Sequence, residues 1–161
     1  MLRLPPEWTD HSTAGVSLRV GSCNRVGDPA IGRGLAAEVL PDGRVRVLVE
    51  GQACQEVLAG VRETGQIALV MGLPANHRTL HLKGRDGAVS SAESAAYHAL
   101  LQLRLEAFAV QVAPFGFTRE ALIANWYDVR QGDLWAIAFS IAGAWDQTPG
   151  PGAGQPVELL P

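Results

Sequence analysis

Along residues 76–84, "NHRTLHLKG", polar and apolar side chains alternate until the run stops at a glycine. Alternation with a period of two marks a β-strand whose two faces meet different surroundings. Leu80 and Leu82 then share one face, and His77, Thr79, His81 and Lys83 share the other. Arg78 sits at the mouth of the leucine face. Three earlier segments, "VSLRV" (16–20), "AIGRGLAAEVL" (30–40) and "RVRVLVE" (44–50), also read as strands, the last two joined by the turn "PDG" into an antiparallel hairpin. In residues 52–63 Ala53, Val57, Leu58 and Val61 recur at helical spacing. The following "QIALVMG" is apolar on both faces, as expected of a strand buried on both sides. A "LPAN" turn connects that strand to the alternating stretch.

In the second half, "SSAE" predicts a helix start, with Ser90 and Glu93 forming a capping box. The helix continues through Tyr97, Leu101, Leu105 and Phe108 towards Pro114. A shorter helix is expected from Thr118 to about residue 125. Residues 134–141, "LWAIAFSI", supply the last central strand. The tail from residue 146 is too rich in proline and glycine for regular structure. Its prolines nevertheless suit one defined path against the barrel or a partner subunit, with Asp146, Gln147 and Thr148 close enough to the cleft to touch a ligand. The order β-β-β-α-β-β-α-α-β, with tight turns between consecutive strands, predicts one mainly β domain: an antiparallel barrel with flanking helices, from about residue 14 to 84 and again at 134–145, interrupted by a helical insertion at about 90–125.

Composition narrows the partners. The 161 residues are 47% hydrophobic and 18% charged, enough for one core. A net charge of −3 with scattered arginines gives no basic footprint for nucleic acid. The longest apolar run is well short of the ~20 residues a membrane span needs, and the N-terminus lacks a signal-peptide core, so a soluble cytoplasmic protein is expected. Cys23 and Cys54 are too few for a disulfide framework and are read as reduced and buried. "GRGLAA" (32–37) matches a dinucleotide-binding pattern, but the chain runs on into a hairpin rather than a helix that could hold a pyrophosphate. His77 and His81, four residues apart on a strand, lie roughly 13 Å from each other, too far to share one metal ion. No Gly-x-Ser-x-Gly elbow or Cys/His pair points to a nucleophile, so no catalytic residue is assigned and no metal site is expected.

Residues 12–84 resemble the FMN-binding split barrels, the fold family of pyridoxamine 5′-phosphate oxidase. The resemblance rests on order and spacing: Pro29 to Arg33, the "PDG" hairpin, the helix at 52–63, and the run Arg78-Thr79-Leu80-His81-Leu82-Lys83-Gly84. It implies an antiparallel split barrel and a homodimer whose subunits share the flavin cleft. It also implies an FMN-dependent oxidoreductase acting on a small molecule, with Thr79 standing where relatives commonly carry a flavin-binding glutamine. The candidate cofactor-binding residues are therefore Arg33, Gln52, Arg78, Thr79, His81, Lys83 and Gln147. Two departures qualify the likeness. Gly51-Gln52-Ala53 replaces the family's phosphate-gripping Ser-Arg-Lys run, leaving Arg33, Arg78 or Lys83 to hold a phosphate, and the chain ends "QPVELLP" without the oxidase's Arg-Leu-x-Pro segment. Two other readings stay open: a non-catalytic barrel for a small anionic ligand, and a haem-handling barrel with His77 or His81 as axial ligand.

Overall fold

The computed structural model describes residues 2–161. Its strands are β1 (Ser17–Cys23), β2 (Pro29–Val39), β3 (Val45–Glu50), β4 (Ile67–Gly72), β5 (Thr79–Gly84), β6 (Ala88–Ser91), β7 (Leu134–Phe139), β8 (Gly143–Asp146) and β9 (Gln155–Pro156). Its helices are α1 (Pro6–Thr13), α2 (Gln55–Thr64), α3 (Ala95–Val112) and α4 (Arg119–Leu122), the last running into a π-helical turn at Ile123–Tyr127. The strands form one sheet in the order β6-β7-β3-β2-β1-β4-β5-β8-β9, every neighbouring pair antiparallel.

What closes the sheet is a bend in the chain. The barrel stretch expected at 134–145 holds two strands, not the one expected at 134–141: β7 pairs with β3 and, after three residues, β8 pairs with β5 on the far side. Ser140 and Ala142 fix the corner, Ser140 donating its N–H to Asp86 Oδ1 at 2.8 Å and Ala142 its N–H to the Lys83 carbonyl at 2.8 Å. Val20, Val47, Leu69, Met71, Leu80, Leu82 and Phe139 fill the interior and are wholly buried. The β2–β3 hairpin turns as its sequence requires, with Pro41 pre-set for the turn and Gly43 at φ +88°, a conformation glycine adopts without strain.

Helices seal the barrel on three sides. At one end α2 inserts Val57, Leu58 and Val61; at the other α1 inserts Trp8, and His11 Nε2 donates to the Met71 carbonyl at 2.9 Å. Outside β2, β3 and β7, helix α3 packs Leu101, Leu105 and Phe108 on Leu35, Ala36, Leu48 and Ala136. A β-bulge between Gly34 and Ala36 turns both Leu35 and Ala36 to this helical layer and leaves Arg33 on the outer surface.

The structure corrects several local expectations. Ser90 and Glu93 are not a capping box: Ser90 lies in edge strand β6 opposite Ala136, α3 starts after Ser94, and the Glu93 carboxylate accepts the Leu134 N–H at 2.8 Å. Ladder pairing and a long-range acceptor outweigh a local cap. The β4 strand is buried on one face only; Ala68 and Val70 are half-exposed because no helix covers that side. Nor is the tail irregular throughout: β9 pairs Trp145 with Pro156 and Asp146 with Gln155, and Arg3 bridges Leu160. Thr118 does cap its helix, accepting the Ala121 N–H. Among the described residues no helix is long and apolar enough to cross a membrane.

The buried His11 makes the α1 contact sensitive to acid. Burial, together with the Arg78 charge, lowers its pKa below the ordinary 6.5, against the raising effects of its Met71 hydrogen bond and Asp146. The folded chain therefore binds this proton less readily than the unfolded chain. Stability should be level above about pH 7 and fall as pH drops through 6.5 towards the lowered folded value. Denaturant midpoints between pH 5 and 7.5 check this; a His11→Gln variant should show a shallower slope, and an unchanged slope would contradict it.

Candidate outer-face clefts

The outer face of β1, β4 and β5 with the start of β2 is left largely bare, α3 and the π-helical turn overhanging it at Arg33, and register sets its rows. The central row runs Arg33–Arg19–Val70–His81 across the four strands; along one edge Gly72 pairs with Ser17 and with Thr79, and along the other lie Ile31–Gly21–Ala68–Lys83. All these side chains sit at outward positions because their neighbours Leu18, Val20, Leu69, Leu80 and Leu82 point into the barrel. A cleft opens at each end.

The first cleft holds about 430 Å³ and is lined by Ser17, Arg19, Arg33, Thr79, Trp126 and Phe117, among others. The Arg33 guanidinium lies 4.0 Å from the centre of the Trp126 ring and 5.5 Å from that of Phe108. Burial lowers its pKa, and the neighbouring Tyr127 opposes that shift; a guanidinium stays charged regardless. Among the described residues its Nε is buried without a hydrogen-bond partner, and the Arg33 side chain, which forms no ion pair, lines the cleft. The lining contains no carboxylate. Thr79 is held from behind by the tail: its N–H donates to Thr148 Oγ1 at 3.0 Å and its carbonyl accepts the Gln147 N–H at 2.8 Å. The second cleft, about 720 Å³, lies at the other end and includes Lys83 and Trp145.

The sequence-predicted residues are thus only partly gathered. Arg33 and Thr79, with His77, line the first cleft, and Lys83 lines the second. His81 lies between them, its ring 5.7 Å from that of Trp145, its pKa lowered by burial and by Lys83. Arg78 stacks over Trp8 at 4.1 Å, away from both clefts, and the Gln147 side chain is exposed. Gln52 is also in neither cleft. Its N–H donates to Asp133 Oδ2 at 3.0 Å, so a carboxylate stands at the turn where the resembling family has cations. Sequence reading missed Arg19 and Ser17, although their alternation in "VSLRV" puts them on one face, and Trp126, whose approach to Arg33 only the tertiary fold creates.

No protein-family model matches the sequence, and neither does any curated protein. Solved structures do match. An FMN-binding protein from Syntrophomonas wolfei superposes with a TM-score of 0.53 at 13% identity, covering 96% of this chain and 89% of that one. An F420 reductase gives 0.56 at 11% identity, covering 88% and 98%. HutZ, the haem storage protein from Vibrio cholerae, gives 0.50 at 15% identity, covering 89% and 94%. With its bend-closed antiparallel sheet and flanking helices, the chain has the split-barrel fold of the pyridoxamine 5′-phosphate oxidase-like, FMN-binding proteins.

Proposed function

We propose that the first cleft binds a phosphorylated flavin, FMN, and that the protein is a flavin-dependent oxidoreductase of a small molecule. The observation that carries this reading is the Arg33 guanidinium, without an ion pair among the described residues and stacked on Trp126, in a carboxylate-free cleft walled by aromatic rings. Its volume lies within the range of roughly 300–1,000 Å³ usual for small-molecule sites. Arg33 and Arg19 would hold the phosphate by charge-assisted hydrogen bonds. They replace the cations absent at Gly51-Gln52-Ala53, where Asp133 would repel an anion. Ser17 and Thr79 offer polar groups at the cleft edge, while Trp126 and Phe108 exclude water. When bound, a flavin accepts a hydride and passes the electrons on. The chain's own part is then binding, orientation and desolvation, and no side chain need act as acid or base. Lys83 stands four residues, about 13 Å, from Thr79 along β5, so a phosphate held at Arg33 does not require it.

A homodimer belongs to the same proposal. A second copy laid on the uncovered face beside the first cleft would complete that cleft as a site shared between subunits. Light scattering at micromolar concentration should give twice the 17.1 kDa chain mass; a monomer mass would remove the shared cleft.

One observation favours a second reading, haem binding: His81 is outward-facing beside Trp145, and its lowered pKa keeps the imidazole neutral and able to ligate iron. An absorbance spectrum of the purified protein separates the readings. Flavin gives a band near ~450 nm, haem a stronger band near ~400 nm, and a barrel with neither is colourless.

A further inference from the structure

The second cleft has a cause in the sequence that is independent of the first. In the row Ile31–Gly21–Ala68–Lys83, the two middle strands carry the smallest side chains, so the outer surface sinks between walls. Ile31 forms one wall. Trp145 forms the other, its ring lying over Gly143, where a Cβ would stand only 2.5 Å from the ring. Ala30 and Ile67 extend the apolar lining, and Lys83 and Arg85 stand at the rim. Lys83 Nζ is 5.4 Å from the centre of the Trp145 ring. Among the described residues neither Lys83 nor Arg85 forms an ion pair, and the lining contains no carboxylate. An apolar hollow with an aromatic wall and two uncompensated cations is complementary to one kind of molecule: an apolar body bearing a negative charge.

We propose that this hollow is a separate binding site for a small organic anion with an aromatic body, a carboxylate or sulfonate whose charge meets Lys83 and Arg85 while its ring lies between Trp145 and the floor at Gly21 and Ala68. The site stands whether or not the first cleft holds a flavin.

The test uses the full chain and two dyes of matched shape, anionic 1-anilinonaphthalene-8-sulfonate and uncharged N-phenyl-1-naphthylamine, followed by dye fluorescence. The anionic dye should bind one per chain and about tenfold more tightly than the neutral one. A Lys83→Gln/Arg85→Gln double variant should lose that advantage, weakening the anion about tenfold and the neutral dye less than about twofold. Both side chains are exposed, so the melting temperature should stay close to wild type. Ala68→Leu, which fills the floor, should weaken both dyes. Equal affinity of the double variant and wild type for the anion, equal loss of both dyes in that variant, or no effect of Ala68→Leu would each overturn the proposal. The flavin reading fails separately, by absence of FMN binding.

Discussion

Replacing Arg33 with methionine is expected to weaken FMN binding about hundredfold while leaving the fold largely intact. Methionine keeps an unbranched apolar stem against Trp126 and Phe108, so the wall of the cleft remains packed. What disappears is the guanidinium, including the buried Nε that has no internal partner. Charge-assisted hydrogen bonds to a phosphate contribute about 1.5–3 kcal/mol each, and a hundredfold change in affinity corresponds to about 2.7 kcal/mol. Stability should change little, because removing a half-buried cation relieves desolvation as it loses the stack on Trp126. Arg33→Lys should fall between the two, restoring charge without the planar fork. Flavin fluorescence titrations of the three proteins check the order; wild-type affinity in Arg33→Met would show that Arg33 does not anchor the phosphate.

Truncation after Trp145 should have the largest effect on the fold. It removes the β8–β9 ladder, the Arg3–Leu160 bridge that ties the two termini together, and Val157 and Leu159, which pack against the barrel core. It also removes Thr148, whose hydroxyl accepts the Thr79 N–H. Losing strand pairing together with apolar contacts costs several kcal/mol, on the order of 10 °C in melting temperature for a chain of this size. Flavin affinity should fall with it, because Thr79 loses its support. A truncated chain that keeps its melting temperature, oligomeric mass and ligand would show that the tail is only a tether.

The parts of the fold legible in the sequence are those where local pattern and tertiary environment agree. The β2–β3 hairpin is one: alternating residues flank a turn whose proline and glycine fit the required backbone. The β5 strand is another, with Leu80 and Leu82 buried and Thr79, His81 and Lys83 outward as alternation requires. Elements made by distant partners left no local mark. Helix α1 is eight mostly polar residues, held by Trp8 in the core and by His11 on Met71. Strand β6 reads "AVSS" and exists because β7 offers an edge to pair with. The candidate site divides in the same way. Arg33 and Thr79 were found because family resemblance ties them to strand positions, whereas the stack of Arg33 on Trp126 depends on a π-helical turn delivered across the sheet by α3 and α4. Gln52 was misleading for a related reason: its sequence position matches a phosphate-gripping turn, but Asp133, from the start of the β7 region, occupies that turn's hydrogen bond.

If Arg33 and Arg19 anchor a flavin phosphate in the first cleft, FMN binds there far better than a flavin without the phosphate. A parallel titration of the wild-type protein with FMN and with riboflavin, the same ring system without the phosphate, measures this difference. One FMN per chain should bind, about hundredfold more tightly than riboflavin, with the difference shrinking as salt is raised. Equal affinity for the two, or no binding of either, would contradict that anchoring.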